Sequence, residues 1–309
     1  MSMENTGKIS KYLDAELLAK LSNMEVKARA AVEGMIEGLH KSPVKGFNVE
    51  FSEYRQYVPG DSLRDIDWKV YGRTDKFYIK EHEEETNLSG YIILDTSGSM
   101  AYKGSGIMSK MDYAATMAAS LAYLMLKQQD SVGLATFANG INKIISPKNG
   151  MAHLKAICGE LDSTIPSNKT NIGESLDTVG QAMKKRGIFI IFSDLMDNAE
   201  IIIKKLRQLK TRRHEIILYH ILDKDEIIFP FNEMTMFRDL EDSAEITTDA
   251  FSLKNEYLRR VRTMFSTFKS ALRKSGIDYL IADTSVSPES NLRSFFTRRQ
   301  AYNSWGEIK

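Results

Sequence analysis

Tyr91-Ile92-Ile93-Leu94-Asp95-Thr96-Ser97-Gly98-Ser99 decides how this chain reads. Its opening is a short apolar run that stops at an aspartate, the pattern of a strand buried on both faces and emerging at a sheet edge. Residues 187–193 repeat it: another apolar strand, again followed by an aspartate, Asp194. Between them, Ser109-Lys110-Met111-Asp112 predicts a capped helix start, the Ser hydroxyl and Asp carboxylate each meeting a free N–H, with the helix reaching about residue 129. Residues 132–137 read as a strand and 141–145 as its hairpin partner across Asn139-Gly140. Helices follow at 151–161 and at 171–184, the latter capped by the pattern Asn171 to Glu174. Beyond Asp194 the chain reads as helix 200–210, strand 215–222, helix 251–274, strand 277–282 and helix 288–297. Strands apolar on both faces and alternating with helices predict an α/β fold with a doubly wound, mostly parallel sheet covered on two sides.

In such sheets ligands bind beyond the carboxyl ends of the strands. Asp95 and Asp194 arrive at that edge. Ser97 and Ser99, at alternate positions of an extended loop, are expected to point the same way as Asp95, with Gly98 permitting the tight backbone. A third loop, Ser167-Asn168-Lys169-Thr170, meets a helix start where Thr170 can turn its hydroxyl into the same space. Two carboxylates and three hydroxyls are hard oxygen donors and suit Mg²⁺, or another divalent cation such as Mn²⁺. The carboxylates balance the ion's charge, while the hydroxyls fill positions without adding to it. An incoming carboxylate could then replace a metal-bound water. Alone, either aspartate would read as a strand-end cap; the combination favours a metal.

Asp95-x-Ser97-x-Ser99 followed by Thr170 and Asp194 resembles the metal-ion-dependent adhesion site of von Willebrand factor type A (vWA) domains, and Asp130-Ser131-Val132-Gly133-Leu134-Ala135-Thr136-Phe137 fits as well. Upstream, Gly46-Phe47-Asn48-Val49-Glu50-Phe51, Tyr57-Val58-Pro59-Gly60-Asp61, Asp65-Ile66-Asp67-Trp68-Lys69 and Glu83-Glu84-Glu85-Thr86 resemble the bacterial family known as domain of unknown function 58 (DUF58). The resemblance spans about residues 24–285. With a boundary read near residues 86–90, the expected organisation is a vWA-like domain over 89–309, a β-rich family-specific segment over 46–88 and an N-terminal helical segment over 1–45. The resemblance implies a non-enzymatic binding module, with Asp95, Ser97, Ser99, Thr170 and Asp194 as the metal shell. The partner it implies is a MoxR-type AAA+ ATPase or a client protein, whose carboxylate completes that shell; the role is that of an adaptor or co-chaperone in protein maturation, cofactor insertion or stress response.

Composition agrees with a folded protein: of 309 residues, 42% are hydrophobic and 27% charged, with 6 Pro and 19 Gly. Forty-two basic and 41 acidic side chains give a net charge of +1, so no bulk attraction to nucleic acid or anionic lipid is expected. The single cysteine, Cys158, rules out an internal disulfide and a Cys-based zinc site and reads as a buried thiol. Residues 1–20 lack a signal-peptide core, and the uncharged run 113–126 is too short to cross a bilayer. A cytoplasmic location is expected.

Residues 11–40 carry a helical stripe (Leu13, Leu17, Leu21, Met24, Ala28, Ala31, Met35, Leu39), with a break expected at Ser22-Asn23. Residues 47–51 and 76–80 read as strands, Pro59-Gly60 as the centre of a turn and 65–68 as irregular, with Glu81 to Glu85 a solvated run. Asp65 and Asp67 are read as caps or partners of Arg55, Arg64 or Arg73; His82, His40 and His153 are read as non-ligands, as are His214 and His220, which flank a strand without metal-ligand spacing. Asp197 reads as the cap of the helix after it. The basic run from Lys204 to Arg213 has no interleaved aromatics and reads as a helix end, not a nucleic-acid patch.

Two enzyme readings compete. A Mg²⁺-dependent phosphatase of the haloacid-dehalogenase type would use Asp95 as nucleophile and Asp194-Leu195-Met196-Asp197 as its late acidic motif. It needs an acid two residues after the nucleophile, where this chain has Ser97. A serine hydrolase needs Gly-x-Ser-x-Gly, absent around Ser97 and Ser99.

Overall fold

The computed structural model describes residues 23–38, 54–58, 68–74, 76–80, 89–106, 108–167, 169–183, 186–242 and 244–306. In order, the elements are α1 (Met24–Gly38), β1 (Tyr54–Gln56), α2 (Trp68–Thr74), β2 (Tyr78–Lys80), β3 (Ser89–Asp95), α3 (Lys110–Lys127), β4 (Ser131–Phe137), β5 (Ile141–Lys148), α4 (Met151–Ser163), α5 (Ile172–Ala182), β6 (Ile188–Ser193), α6 (Ala199–Thr211), β7 (Glu215–Leu222), α7 (Lys224–Ile228), β8 (Met234–Arg238), β9 (Glu245–Asp249), α8 (Ala250–Arg273), β10 (Asp278–Asp283) and α9 (Pro288–Gly306). They fall into two units, one drawn from 1–44 and 89–309, the other from 45–88.

The larger unit is built on a six-stranded sheet of order β10-β7-β6-β3-β4-β5. All neighbours are parallel except β4 and β5, which pair antiparallel as the hairpin across Asn139-Gly140. The doubly wound, mostly parallel architecture read from the sequence is the one observed. The order reverses at β3: β4 lies on one side of it and β6 on the other. The crevice at such a switch point is where open α/β sheets bind ligands, and β3 and β6 are the strands that end in Asp95 and Ser193-Asp194.

Alternate residues of the central strands serve the two faces. Ile93, Phe189, Ile191, Ile216 and Leu218 join Ile172 and Leu176 of α5, Ile202 and Leu206 of α6 and Phe268 and Leu272 of α8 in one core. On the other face α3 packs against β3, and α1, α4 and α9 pack against α3. Ala114, Ala115, Ala118, Ala119 and Ala122 of α3 are all buried, as are Ala28 and Ala31 of α1. Methyl-sized side chains let these two helices approach closely, which explains the alanine-rich stretch 113–126. Among the described residues no helix is long and apolar enough to cross a membrane.

Helix α1 starts at Met24, with the Asn23 carboxamide accepting the Glu25 N–H at 2.8 Å. The Met24 N–H donates to Asp162 Oδ2 of α4 at 3.3 Å, which ties the start of α1 into the larger unit. Residues 11–22 of that stripe, residues 47–51, Pro59-Gly60-Asp61, Arg64, Asp65, Asp67, the Glu81–Glu85 run, His82 and His40 lie outside the described residues. In the smaller unit β1 and β2 pair antiparallel, and Tyr71 stacks on Phe77 with ring centroids 4.4 Å apart. Trp68, read as irregular, opens the seven-residue helix α2. Two other details differ from the sequence reading. Ser109 caps α3 as expected, accepting the Asp112 N–H at 3.0 Å, but the Asp112 carboxylate accepts from the Ser109 hydroxyl at 2.8 Å instead of from a backbone N–H. Asn198, not Asp197, caps α6, accepting the Glu200 and Ile201 N–H groups.

The basic run is engaged within the chain. Lys205 pairs with Asp177, Arg207 donates to Ser275 Oγ and the Ala271 carbonyl, and Arg212 donates to the Gly180 carbonyl. His153 faces the Val132 carbonyl at 2.9 Å. Cys158 is buried in α4, and burial, followed by the charges of Glu25 and Asp162, pushes its thiol up to about 12. We expect a disulfide-exchange reagent at pH 8 to modify Cys158 only at the rate at which the protein opens, and immediately in denaturant. Prompt stoichiometric labelling of the native protein would contradict this packing.

Candidate functional site

Asp95 closes β3 in Cα register with Phe137 of β4, and the loop after it is fixed at once: both the Thr96 N–H (2.7 Å) and the Thr96 hydroxyl (2.8 Å) donate to the Phe137 carbonyl. The next residues form a single 3₁₀ turn, Gly98–Ala101, not the extended loop that the sequence reading assumed. The turn still brings the hydroxyls together, with Ser97 Oγ and Ser99 Oγ 3.1 Å apart. The loop carrying Thr170 is held by the Ser167 N–H on the Thr96 carbonyl (2.9 Å) and the Asn171 N–H on the Ala138 carbonyl (2.8 Å).

All five predicted residues meet at the switch point. Asp95 Oδ1 accepts the Ser97 N–H at 2.9 Å, and Oδ2 accepts the Thr170 hydroxyl at 3.4 Å. The Ser99 hydroxyl faces Asp194, and the charge of Asp194 acts on Asp95. Asp95, Ser97 and Asp194 are fully buried.

Four further residues complete the site; the sequence reading sets His220 aside for want of metal-ligand spacing and misses the other three. Ser193 Oγ donates to Asp95 Oδ2 at 2.6 Å and accepts the Leu195 N–H at 2.9 Å. His220 of β7 places Nε2 2.9 Å from the Asp194 carbonyl and Nδ1 2.7 Å from the Tyr279 hydroxyl. Burial pushes its imidazole down to about 4 against the pull of Asp194, so it is neutral at pH 7. Lys110, the first residue of α3, is 1% exposed and bonds Asp194 Oδ2 and Glu226 Oε1, each at 2.8 Å. Glu226 is held in turn by the capping box of α7, where its Oε2 accepts the Asp223 N–H at 2.7 Å. Asp223, the aspartate ending β7, follows the same strand-then-Asp pattern as Asp95 and Asp194. It pins surrounding structure instead of facing the site, through the Gly104 N–H (3.2 Å) and the Thr284 hydroxyl (3.2 Å).

The two central aspartates differ electrostatically. Burial raises the Asp194 carboxyl, but the Lys110 ammonium outweighs it and holds the group below the usual carboxylate range. Asp95 has no such partner. Burial and the Asp194 charge push it up to about 7, against smaller lowering by Ser193 and Ser97. A buried carboxylate surrounded only by neutral donors calls for a cation. The donor set therefore fits a hard divalent ion: Asp95, Ser97, Ser99, Thr170 and Asp194 could hold it, with Lys110 neutralising the far oxygen of Asp194. Among the described residues no three His, Cys, Asp or Glu side chains form a group that could hold an ion, so an ion held here would rely on the hydroxyls as well. When bound, the ion would supply a Lewis-acidic point for an outside carboxylate.

Comparison with known proteins places the chain. It is similar to the uncharacterised proteins Rv1480 of Mycobacterium tuberculosis (strain ATCC 25618 / H37Rv) and Mb1516 of Mycobacterium bovis, each 24% identical over 276 residues, covering 86% of this chain and 84% of the relative. Among solved structures it is similar to BatB from Bacteroides thetaiotaomicron (16% identity, TM-score 0.46, 70% of this chain and 99% of the other). The SpRpn10 VWA domain is another such structure (11% identity, TM-score 0.39, 66% and 93%). The model of the family described as "Protein of unknown function DUF58" matches residues 53–267, and this chain belongs to that family.

Proposed function

We propose that this protein is a non-enzymatic, Mg²⁺-dependent protein-interaction module. In this reading it works in the cytoplasm as an adaptor or co-chaperone of a MoxR-type AAA+ ATPase. The observation that carries it is the fully buried Asp95 carboxylate, ringed by the Ser97, Ser193 and Thr170 donors, with no cation paired to it among the described residues. A module that grips a partner through a shared ion needs such a set: two acids to hold the metal and neutral hydroxyls that leave it electrophilic. The ATPase partner follows from the family resemblance read in the sequence motifs. The phosphatase reading gains nothing from the geometry, since the position two residues after Asp95 carries the Ser97 hydroxyl, which cannot serve as a general acid at neutral pH.

The test is capture of a MoxR-type ATPase from the same genome in Mg²⁺ and in EDTA. We expect retention in Mg²⁺ and at least tenfold less in EDTA. Equal retention in both would overturn the metal-dependent mechanism.

A further inference from the structure

Strands β8 and β9 pair antiparallel, from Met234↔Asp249 to Arg238↔Glu245, and the turn between them lies on the candidate site. The turn shapes itself: Asp239 Oδ1 accepts the N–H groups of Glu241 (2.6 Å) and Asp242 (3.3 Å), and the Asp239 N–H donates to the Ala244 carbonyl at 2.8 Å. Its backbone rests directly on Gly98, between the two site serines. A methyl group there would lie 2.4 Å from the Leu240 carbonyl oxygen and 3.3 Å from Glu241 Cα. On the other side, Lys169 Nζ bonds Asp242 Oδ2 at 3.0 Å, next to Thr170.

This seating aims one side chain at the site. The Glu241 carboxylate is faced by the Thr170 backbone N–H and feels the charge of Asp194. Its Oε1 is buried without a hydrogen-bond partner. A buried carboxylate oxygen without a hydrogen-bond partner costs free energy, and here it borders a donor set that fits a cation. The rest of the hairpin is lightly held. Met234, Met236 and Ile246 are exposed, while Phe237 packs on Phe229 and Phe231. Segments with so little buried apolar surface open at low free-energy cost.

We infer that the β8–β9 turn is a tethered competitor for the site: seated on Gly98 with Glu241 at the site's border, it occupies the approach that a partner's acidic side chain must use, and that side chain reaches the metal only as this turn leaves. The inference rests on the metal-dependent reading above and adds its regulation. The Lys169–Asp242 bond, exposed to solvent, is the outer latch of the closed state.

The test uses the full chain, Mn²⁺ and water-proton relaxation, which reports how many exchangeable waters the bound ion keeps. Wild type is compared with Glu241→Ala, which removes the competing group, and Lys169→Ala, which releases the latch without touching a site oxygen. We expect higher relaxation per bound Mn²⁺ in Glu241→Ala, a smaller rise in Lys169→Ala, and at least tenfold tighter Mn²⁺-dependent binding of a fluorescein-labelled triglutamate peptide to Glu241→Ala. If wild type and Glu241→Ala take up Mn²⁺ alike, with equal relaxation and equal peptide binding, the turn's role is wrong while the metal reading stands. If neither takes up Mn²⁺, the metal reading fails and this inference with it.

Discussion

Lys110→Met lowers the stability of the metal-free protein by about 3–5 kcal/mol, the cost of removing one partner from a buried ion pair. Asp194 is fully buried and the Glu226 side chain 16% exposed, and both take a 2.8 Å hydrogen bond from the same ammonium. Methionine fills most of the volume but leaves the buried Asp194 carboxylate without its cation and beside the charge of Glu226. Exposed pairs such as Arg259–Glu256 are screened by water and stabilise little, so the two classes separate cleanly. Urea unfolding in EDTA at pH 8, with an unchanged dependence on urea, is the measurement. Adding Mg²⁺ should recover part of the loss, because a divalent ion supplies the charge that the ammonium supplied to Asp194. A loss below about 1 kcal/mol would mean that Lys110 does not organise the site.

Asp95→Asn has the opposite effect on stability and the largest effect on metal. Without a cation, the folded-state carboxyl titrates at about 7, above its unfolded value. Between about pH 4 and 7 the folded state therefore binds more protons than the unfolded one, and this group's contribution to stability falls as pH rises through that window. At pH 8 the wild-type chain carries the full cost of a buried anion. Asparagine removes that charge while its carbonyl oxygen can still accept a hydrogen bond, so the variant is expected to be more stable than wild type in EDTA. In Mg²⁺ the order reverses, because the wild type gains binding energy that the variant cannot. The affinity of Asp95→Asn for Mg²⁺ should fall by about 100-fold or more, since loss even of a group that merely orients a metal ligand costs 10–100-fold. Proton competition at Asp95 should also weaken wild-type binding about tenfold per pH unit below 7.

The sheet and the five-residue set were legible because each rests on a strong local pattern. Apolar runs ending in aspartate mark the carboxyl ends of β3 and β6, and hydroxyl residues follow at short spacing. The companions of those residues were less visible for physical reasons. Ser193 precedes Asp194 at a strand end, where a serine is unremarkable until the topology sets β6 beside β3. His220 sits inside an apolar strand, and only the register with Ser193 brings it under Asp194. Lys110 did leave a signal: a cation in the first turn of a helix opposes the macrodipole, and such a local conflict marks a residue recruited by something distant. The segment 223–249 gave no reading. Its two strands belong to no larger sheet; β8 buries alternate side chains only in part and β9 only Thr248, so neither strand carries an apolar run.

Isothermal titration of Mg²⁺ into the metal-stripped protein at pH 8, wild type against Asp95→Asn, shows whether Asp95 holds an ion. One ion should be taken up per wild-type chain, and that uptake should be lost in the variant. No uptake by the wild type at millimolar Mg²⁺, or the same uptake by both proteins, would contradict metal binding at Asp95.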